Sequence, residues 1–121
     1  MSKLIMLIED TALHRKLFTI WMEMDGHTVH AISDERLTYT EAARVRPDIV
    51  VADIRLPHMD GKEIIRTLKA GRDTQHIPVI AWTVLDSRQD EEDCYAAGAD
   101  AFLNKGASRT AISEAVSGRI G

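Results

Sequence analysis

Cysteine is nearly absent from this chain: Cys94 is the only one in 121 residues. No internal disulfide can form, and a reducing cytosol fits that usage. An excess of positive charge is missing too. Fifteen Lys and Arg against nineteen Asp and Glu leave a net charge of −4 with neutral histidines, which disfavours a phosphate-binding nucleic-acid surface. Long apolar runs are also lacking. The N-terminal "MSKLIMLIED" holds a short one that ends in two acids. It is too short to span a bilayer and has no small-residue cleavage site. No repeat, low-complexity tract or linker interrupts the chain. What is present suits one compact domain over residues 1–121, with 45% hydrophobic residues for a core and an ordinary 28% charged. The sequence stops soon after its last helical pattern, so no output or DNA-binding domain is expected.

Short apolar runs alternate with segments of helical period. Leu4 to Ile8 is nearly all apolar, as a strand covered on both faces would be. Leu13, Leu17, Ile20, Trp21 and Met24 follow at helical spacing and read as the core face of a first helix, ended by Asp25-Gly26. Thr28 to Ile32 reads as a strand, and Asp34 to Arg46 as a helix stopped by Pro47. Ile49 to Ala52 is the clearest buried strand. Asp60 with Glu63 suggests a capping box for a helix that buries Ile64, Ile65 and Leu68 and ends at Gly71. Pro78 to Trp82 is a strand; Asp86 with Gln89 repeats the capping pattern before a helix ending near Gly98. Ala101 to Leu103 is a short strand. Ser108 to Arg119 is the last helix, with Ile112, Ala115, Val116 and Ile120 on one face. The fold class is therefore α/β, a doubly wound (βα)5 parallel sheet of five strands with helices on both faces.

Ligands of such sheets sit at the carboxyl ends of the strands. The residues standing there are informative. Glu9 and Asp10 follow the first strand, Asp53 the third, Thr83 ends the fourth, and Lys105 follows the fifth. If the first and third strands are neighbours, three carboxylates converge on one pocket. Their repulsion needs a cation. Clustered hard oxygens with open water positions suit Mg²⁺. The hydroxyl and ammonium at the next two strand ends are what a phosphoryl group would need.

The residues "IED" (8–10), "DIRLPHMDG" (53–61), "AWT" (81–83) and "AAGADAFLNK" (96–105), at this spacing, resemble the receiver domain of two-component response regulators over nearly the whole chain. The length and the "LHRKLF" segment resemble single-domain receivers of the cell-cycle type. The resemblance implies a flavodoxin-like sheet of order 2-1-3-4-5. It also implies a phosphoacceptor signalling protein of the bacterial cytoplasm. Asp53 would be the phosphoryl acceptor. Glu9, Asp10, Asp53 and the main-chain carbonyl of Arg55 would hold Mg²⁺, Glu9 through water. Thr83 and Lys105 would contact the phosphoryl oxygens, and Thr83 with Phe102 would form the switch that alters the face of the fourth helix, fifth strand and fifth helix. The implied partners are a histidine kinase or histidine phosphotransfer protein and a downstream protein target. No nucleic acid, membrane or homodimer is called for, and a monomer is expected. Such a protein catalyses its own phosphorylation without being a turnover enzyme.

Three positions depart from that pattern. Gly106 stands where a proline, often after a cis bond, commonly follows the lysine; a trans bond or a looser loop is expected here. Val84 and Leu85 follow Thr83 where a small residue is usual. Their bulk predicts slow autodephosphorylation and poor labelling by small phosphodonors. Trp82 stands where an aliphatic residue is common. Each site residue also has a plainer reading. Asp53 could be a strand-end acid, Glu9-Asp10 a helix cap, Lys105 a solvated lysine and Phe102 simply core. His14, His27, His30, His58 and His76 show no ligand spacing and read as solvated or turn histidines, His14 being the one placed near a docking surface beside Arg15 and Phe18. Cys94 reads as packing within the fourth helix.

Three rivals are weaker. A haloacid-dehalogenase-type phosphatase would carry a second Asp where Arg55 stands. A flavodoxin-like module would need a Ser/Thr/Gly-rich loop where "EDTALH" stands. A degenerate receiver, serving as an unphosphorylated scaffold, or a phosphate sink or relay intermediate, would retain the fold with a different output.

Overall fold

The computed structural model describes residues 3–84 and 87–120. Five strands and five α-helices alternate: β1 (Leu4–Ile8), α1 (Ala12–Met24), β2 (Thr28–Ile32), α2 (Thr38–Val45), β3 (Ile49–Ala52), α3 (Gly61–Ala70), β4 (Val79–Thr83), α4 (Arg88–Ala97), β5 (Ala101–Asn104) and α5 (Arg109–Ile120). The strands form one parallel sheet in the order β2-β1-β3-β4-β5. β1 and β3 are therefore neighbours, with Ile8 beside Ala52.

The period of two along each strand sends alternate side chains to opposite faces. Met6, Ile8, Val50, Ala52, Val79 and Ala81 meet Ala42 of α2, Ile64, Ile65 and Leu68 of α3, and Cys94 and Ala97 of α4. Ile5, Leu7, Ile49, Val51, Ile80 and Trp82 meet Phe18 and Met22 of α1 and Ile112 and Val116 of α5. Both faces are covered, which is why β1, β3 and β4 read as unbroken apolar runs.

The sequence expectation for α1 chose the wrong stripe. Leu13, Leu17, Ile20 and Met24 are exposed, at 70%, 38%, 44% and 63%. Phe18 and Met22 form the buried face, with Trp21 partly buried beside them. The helix carries two apolar stripes, and spacing alone does not say which meets the sheet; the larger aromatic side chains do.

The caps also differ in detail. Asp60 accepts a hydrogen bond from the Lys62 amide at 2.9 Å, but Glu63 pairs with Arg66 instead of reaching back to close a box. A nearby cation outcompetes one backbone amide. Asp86 and Leu85, and the side chain of Ile120, lie outside the described residues. Ser87 caps α4, accepting from the Asp90 amide at 3.0 Å. The segment read as one helix from Asp34 begins with a 3-10 turn, Glu35–Leu37, capped by Asp34. It ends at Arg46 in the left-handed region (φ 51°), just before Pro47. β4 starts at Val79 and runs through Thr83, and β5 extends to Asn104. These one-residue shifts matter because they put Thr83 inside the sheet and Lys105 immediately beyond it.

Candidate functional site

The carboxyl rim is built by main-chain ladders that run one residue past the strands. The Asp53 amide donates to the Ile8 carbonyl at 3.0 Å, and the Glu9 amide to that of Ile32 at 3.1 Å. The first bond ties Asp53 to β1 and the second ties Glu9 to β2, and the pairing of Ile8 with Ala52 sets the two acids side by side at the β1–β3 seam. Glu9 is fully buried and Asp53 is 4% exposed, while Asp10 faces solvent. One oxygen of each of Glu9, Asp10 and Asp53 lies within 4.8 Å of the others.

Two buried carboxylates at one seam need a counter-charge. Lys105 supplies it. Its amide donates to the Thr83 carbonyl at 2.8 Å, which hangs the residue from the end of β4. Its ammonium donates to Asp53 Oδ2 at 2.9 Å and to Glu9 Oε2. The Lys105 side chain is only 8% exposed. Burial pushes the Glu9 carboxyl above the ordinary carboxylate range; the hydrogen bond from Lys105 pulls the other way without cancelling that push. The remaining oxygens are held by local amides: Arg55 donates to Asp53 Oδ1 at 3.0 Å and Thr11 to Glu9 Oε1 at 3.1 Å.

Thr83 is fully buried at the end of β4. Phe102 is partly buried against the core shared by α2, α3 and α4. The Arg55 side chain is exposed, and its backbone starts a loop closed by a bridge to Asp60. All the residues expected at strand ends 1, 3, 4 and 5 therefore converge on one rim. The Lys105–Gly106 bond is trans, as there is no cis peptide among the described residues. The turn is held instead by Asn104, whose side chain accepts from the Gly106 amide at 2.7 Å.

Several contributors were not anticipated. A Cβ at Gly61 would lie 2.5 Å from Ile54 Cα and 2.7 Å from the Asp53 carbonyl oxygen, so only glycine lets α3 start this close to the end of β3. Buried Glu35 accepts from the amides of His58 and Met59 and so ties the loop after Asp53 to the start of α2. His14, read as a solvated histidine, is half-buried with Nδ1 3.1 Å from the Lys105 ammonium. Its position one turn after Asp10 was the available signal.

Comparison with known proteins decides the family. Residues 5–117 match the family model of the response regulator receiver domain. The chain belongs to that family. The polar-differentiation response regulator DivK of Brucella anthropi is 32% identical over the whole chain, which covers 98% of that protein. The receiver domain of the Pseudomonas aeruginosa sensor histidine kinase PA1611, solved with magnesium in its active-site cleft, is 27% identical with a TM-score of 0.91, covering 100% of this chain and 99% of that one. A Chloroflexus aurantiacus response regulator superposes with a TM-score of 0.94, covering 99% of this chain and 98% of that one, and at 16% identity shows the fold alone. This receiver is a signalling protein of two-component systems, similar to DivK-type regulators and not a turnover enzyme. Receivers of such systems interact with histidine kinases and downstream targets. No helix among the described residues is long and apolar enough to cross a membrane.

Receivers typically bind Mg²⁺ at an acidic pocket. The donor set of this one fits such an ion: hard carboxylate oxygens grouped within 4.8 Å, with Asp10 on the solvent side so that water can complete the shell.

Proposed function

We propose that Asp53 accepts a phosphoryl group from a phosphohistidine of a partner kinase or phosphotransfer protein. The observation that carries this reading is the grouping of Glu9, Asp10 and Asp53 within 4.8 Å while the buried Lys105 ammonium donates to the Asp53 carboxylate at 2.9 Å. A strand-end acid of purely structural use would not be buried with a second acid and a lysine drawn from the far side of the sheet.

A carboxylate oxygen of Asp53 attacks phosphorus in line; the O–P bond forms as the bond to the donor histidine nitrogen breaks. Positioning and charge do most of the work. Lys105 stands beside the attacking group and offsets charge on the transferring oxygens, and the Thr83 hydroxyl is the matching donor from the next strand. Glu9, Asp10, Asp53 and the Arg55 carbonyl would hold Mg²⁺, which when bound neutralises and orients the phosphoryl group. The acylphosphate then draws the Thr83 hydroxyl inward, Phe102 turns into the vacated space, and the surface formed by α4, β5 and α5 changes for its protein target. A coupling of about 1–3 kcal/mol is enough for such a switch. The Brucella relative spans nearly the same length as this chain, which supports reading residues 1–121 as one receiver; its place in this reading is the cytoplasm.

The test is to add Mg²⁺ and beryllofluoride, an acylphosphate mimic, and follow tryptophan emission, since Trp82 adjoins Thr83. The expected result is a saturable change that Asp53→Asn removes, together with labelling of Asp53 by a phosphorylated histidine kinase. No change and no labelling would favour the unphosphorylated scaffold.

A further inference from the structure

We infer that Trp82 and His14 form a clamp that holds Lys105 in its working position, with His14 a positioning residue for phosphoryl transfer; this rests on the phosphoacceptor reading of Asp53. An ammonium has three N–H donors. All three of Lys105 are spoken for: Asp53 Oδ2 at 2.9 Å, Glu9 Oε2 and His14 Nδ1 at 3.1 Å. The nitrogen also lies over the Trp82 ring, 5.0 Å from its centroid, a cation–π contact. His14 meets the Trp82 ring in a T-shaped arrangement at 6.2 Å, and Phe18 buttresses the indole from below at 5.2 Å. The indole is 2% exposed and fixed by its packing, while the His14 side chain is 35% exposed and is held by its contacts to Lys105 and the indole.

The two halves of this cradle have different fates. Glu9 and Asp53 are also the acids that a divalent ion and a phosphoryl group would claim. Once they are engaged, Lys105 loses partners on that side. Neither His14 nor Trp82 is among the groups those ligands would claim, so both contacts to Lys105 persist, His14 Nδ1 also lying 3.7 Å from Glu9 Oε1. The clamp answers a local weakness in the chain. Lys105 is followed by Gly106, which contributes no stiffness of its own. Among the described residues the turn is closed by the Asn104 side chain and by an Ala107 amide donating to the Asn104 carbonyl at 2.9 Å. Orientation of a flexible lysine must then come from what surrounds its head and stem. An aliphatic residue at position 82 would offer contact without the π-face attraction for the cation.

His14→Leu, His14→Asn and Trp82→Leu test the clamp. Asparagine keeps an acceptor at the δ position where leucine has a methyl group. Binding of beryllofluoride with Mg²⁺ is read by ¹⁹F NMR, which needs no tryptophan. His14→Leu and Trp82→Leu are expected to raise the half-saturating concentration about tenfold, a loosened donor costing less than the 10²–10³ of a deleted one. His14→Asn is expected to restore most of it, an outcome that packing alone would not give because asparagine fills the space less well. A second readout needs no metal. In a Trp21→Phe background, Lys105→Met should shift the Trp82 emission of the metal-free protein. Wild-type binding with His14→Leu unchanged, or Trp82 emission indifferent to Lys105→Met, would overturn the clamp alone. A wild-type protein that binds no beryllofluoride would instead overturn the phosphoacceptor reading, and with it the purpose of the clamp. Thermal melts of each variant separate loosened chemistry from lost fold.

Discussion

The two ends of the sheet both collect acids, and they use them differently. At the amino end, Asp48 accepts from the Leu4 amide at 2.8 Å, and Asp100 accepts from the Val79 amide at 2.8 Å and from Lys69 at 2.9 Å. A strand begins with backbone N–H groups that lack partners, so a carboxylate there is satisfied by the main chain itself. At the carboxyl end the strands leave carbonyls facing outward. Acids placed there gain little from the strand ends, and Glu9 and Asp53 must share a lysine carried by a different strand. Structural acids complete the sheet; those of the opposite rim are held in a balance that, on the proposed function, an incoming cation and phosphoryl group would reset.

The sharpest way to break the comparison is Asp53→Asn. Labelling by a phosphorylated kinase should disappear, while the urea midpoint stays the same or rises because one buried charge is removed. If labelling persisted, the acceptor would lie elsewhere and the two rims would not differ in kind. Lys105→Met should come next, slowing phosphoryl transfer by about 10²–10³. It should also change the response to pH. Burial already holds the Glu9 carboxyl above its ordinary range, and removing Lys105 takes away the main influence pulling it down. A carboxyl raised in the folded state keeps its proton where the unfolded chain has lost it, so stability grows as pH falls through that interval. The variant should therefore melt higher at pH 5 than at pH 7, relative to the wild type.

Asp100→Ala sharpens the comparison from the other side. It removes a charge-assisted bond to Lys69 and strands the Val79 amide, at a cost of roughly 1.5–3 kcal/mol in urea denaturation. Asp48→Ala, at an exposed site with one amide partner, should cost about 1 kcal/mol. Neither should alter the labelling rate of Asp53. A large effect on labelling from either would mean the amino end is coupled to the site.

The same contrast explains what the sequence made legible. Ile49 to Ala52 announced a strand buried on both faces, and an acid directly after it had to be paired or used. The alternation of such runs with helical segments was enough for the fold class and for Glu9, Asp53, Thr83 and Lys105 to be gathered at one rim. The choice of face on α1 was not legible, because Leu13, Leu17, Ile20 and Met24 have helical spacing as good as that of Phe18 and Met22. Nor were the contacts of His14 and Glu35, which depend on how α1 and the 3-10 turn dock against loops distant in sequence. Gly61 stood at the end of the "DIRLPHMDG" motif without a reading of its own. Its requirement comes from backbone atoms of Asp53 and Ile54, which no local pattern displays.

Val84 offers a smaller test at the working rim. It is 52% exposed beside Thr83, where bulk can hinder water approaching an acylphosphate. Val84→Ala should shorten the lifetime of the phosphorylated protein by up to about tenfold, equivalent to roughly 1.4 kcal/mol in the barrier. A wild-type half-life of seconds, unchanged by the substitution, would remove Val84 from the account.

Cys94 sets the lower limit of the comparison, as a titratable group that serves neither rim. It is fully buried in the core between α3, α4 and the sheet, and burial raises its thiol from the ordinary 9.0 to about 11. The folded protein therefore keeps the proton that the unfolded chain gives up near pH 9, and stability must fall as pH rises from there towards 11. The loss should be about 1 kcal/mol at pH 10. Cys94→Ala removes the thiol, so its urea midpoint should lie lower at pH 7 through the small cavity but show less further decline between pH 8 and 10. Equal slopes for the two proteins would mean that the thiol ionises as readily in the fold as outside it. Thiol reagents at pH 8 give the companion measurement: native Cys94 should react far more slowly than the same residue in urea.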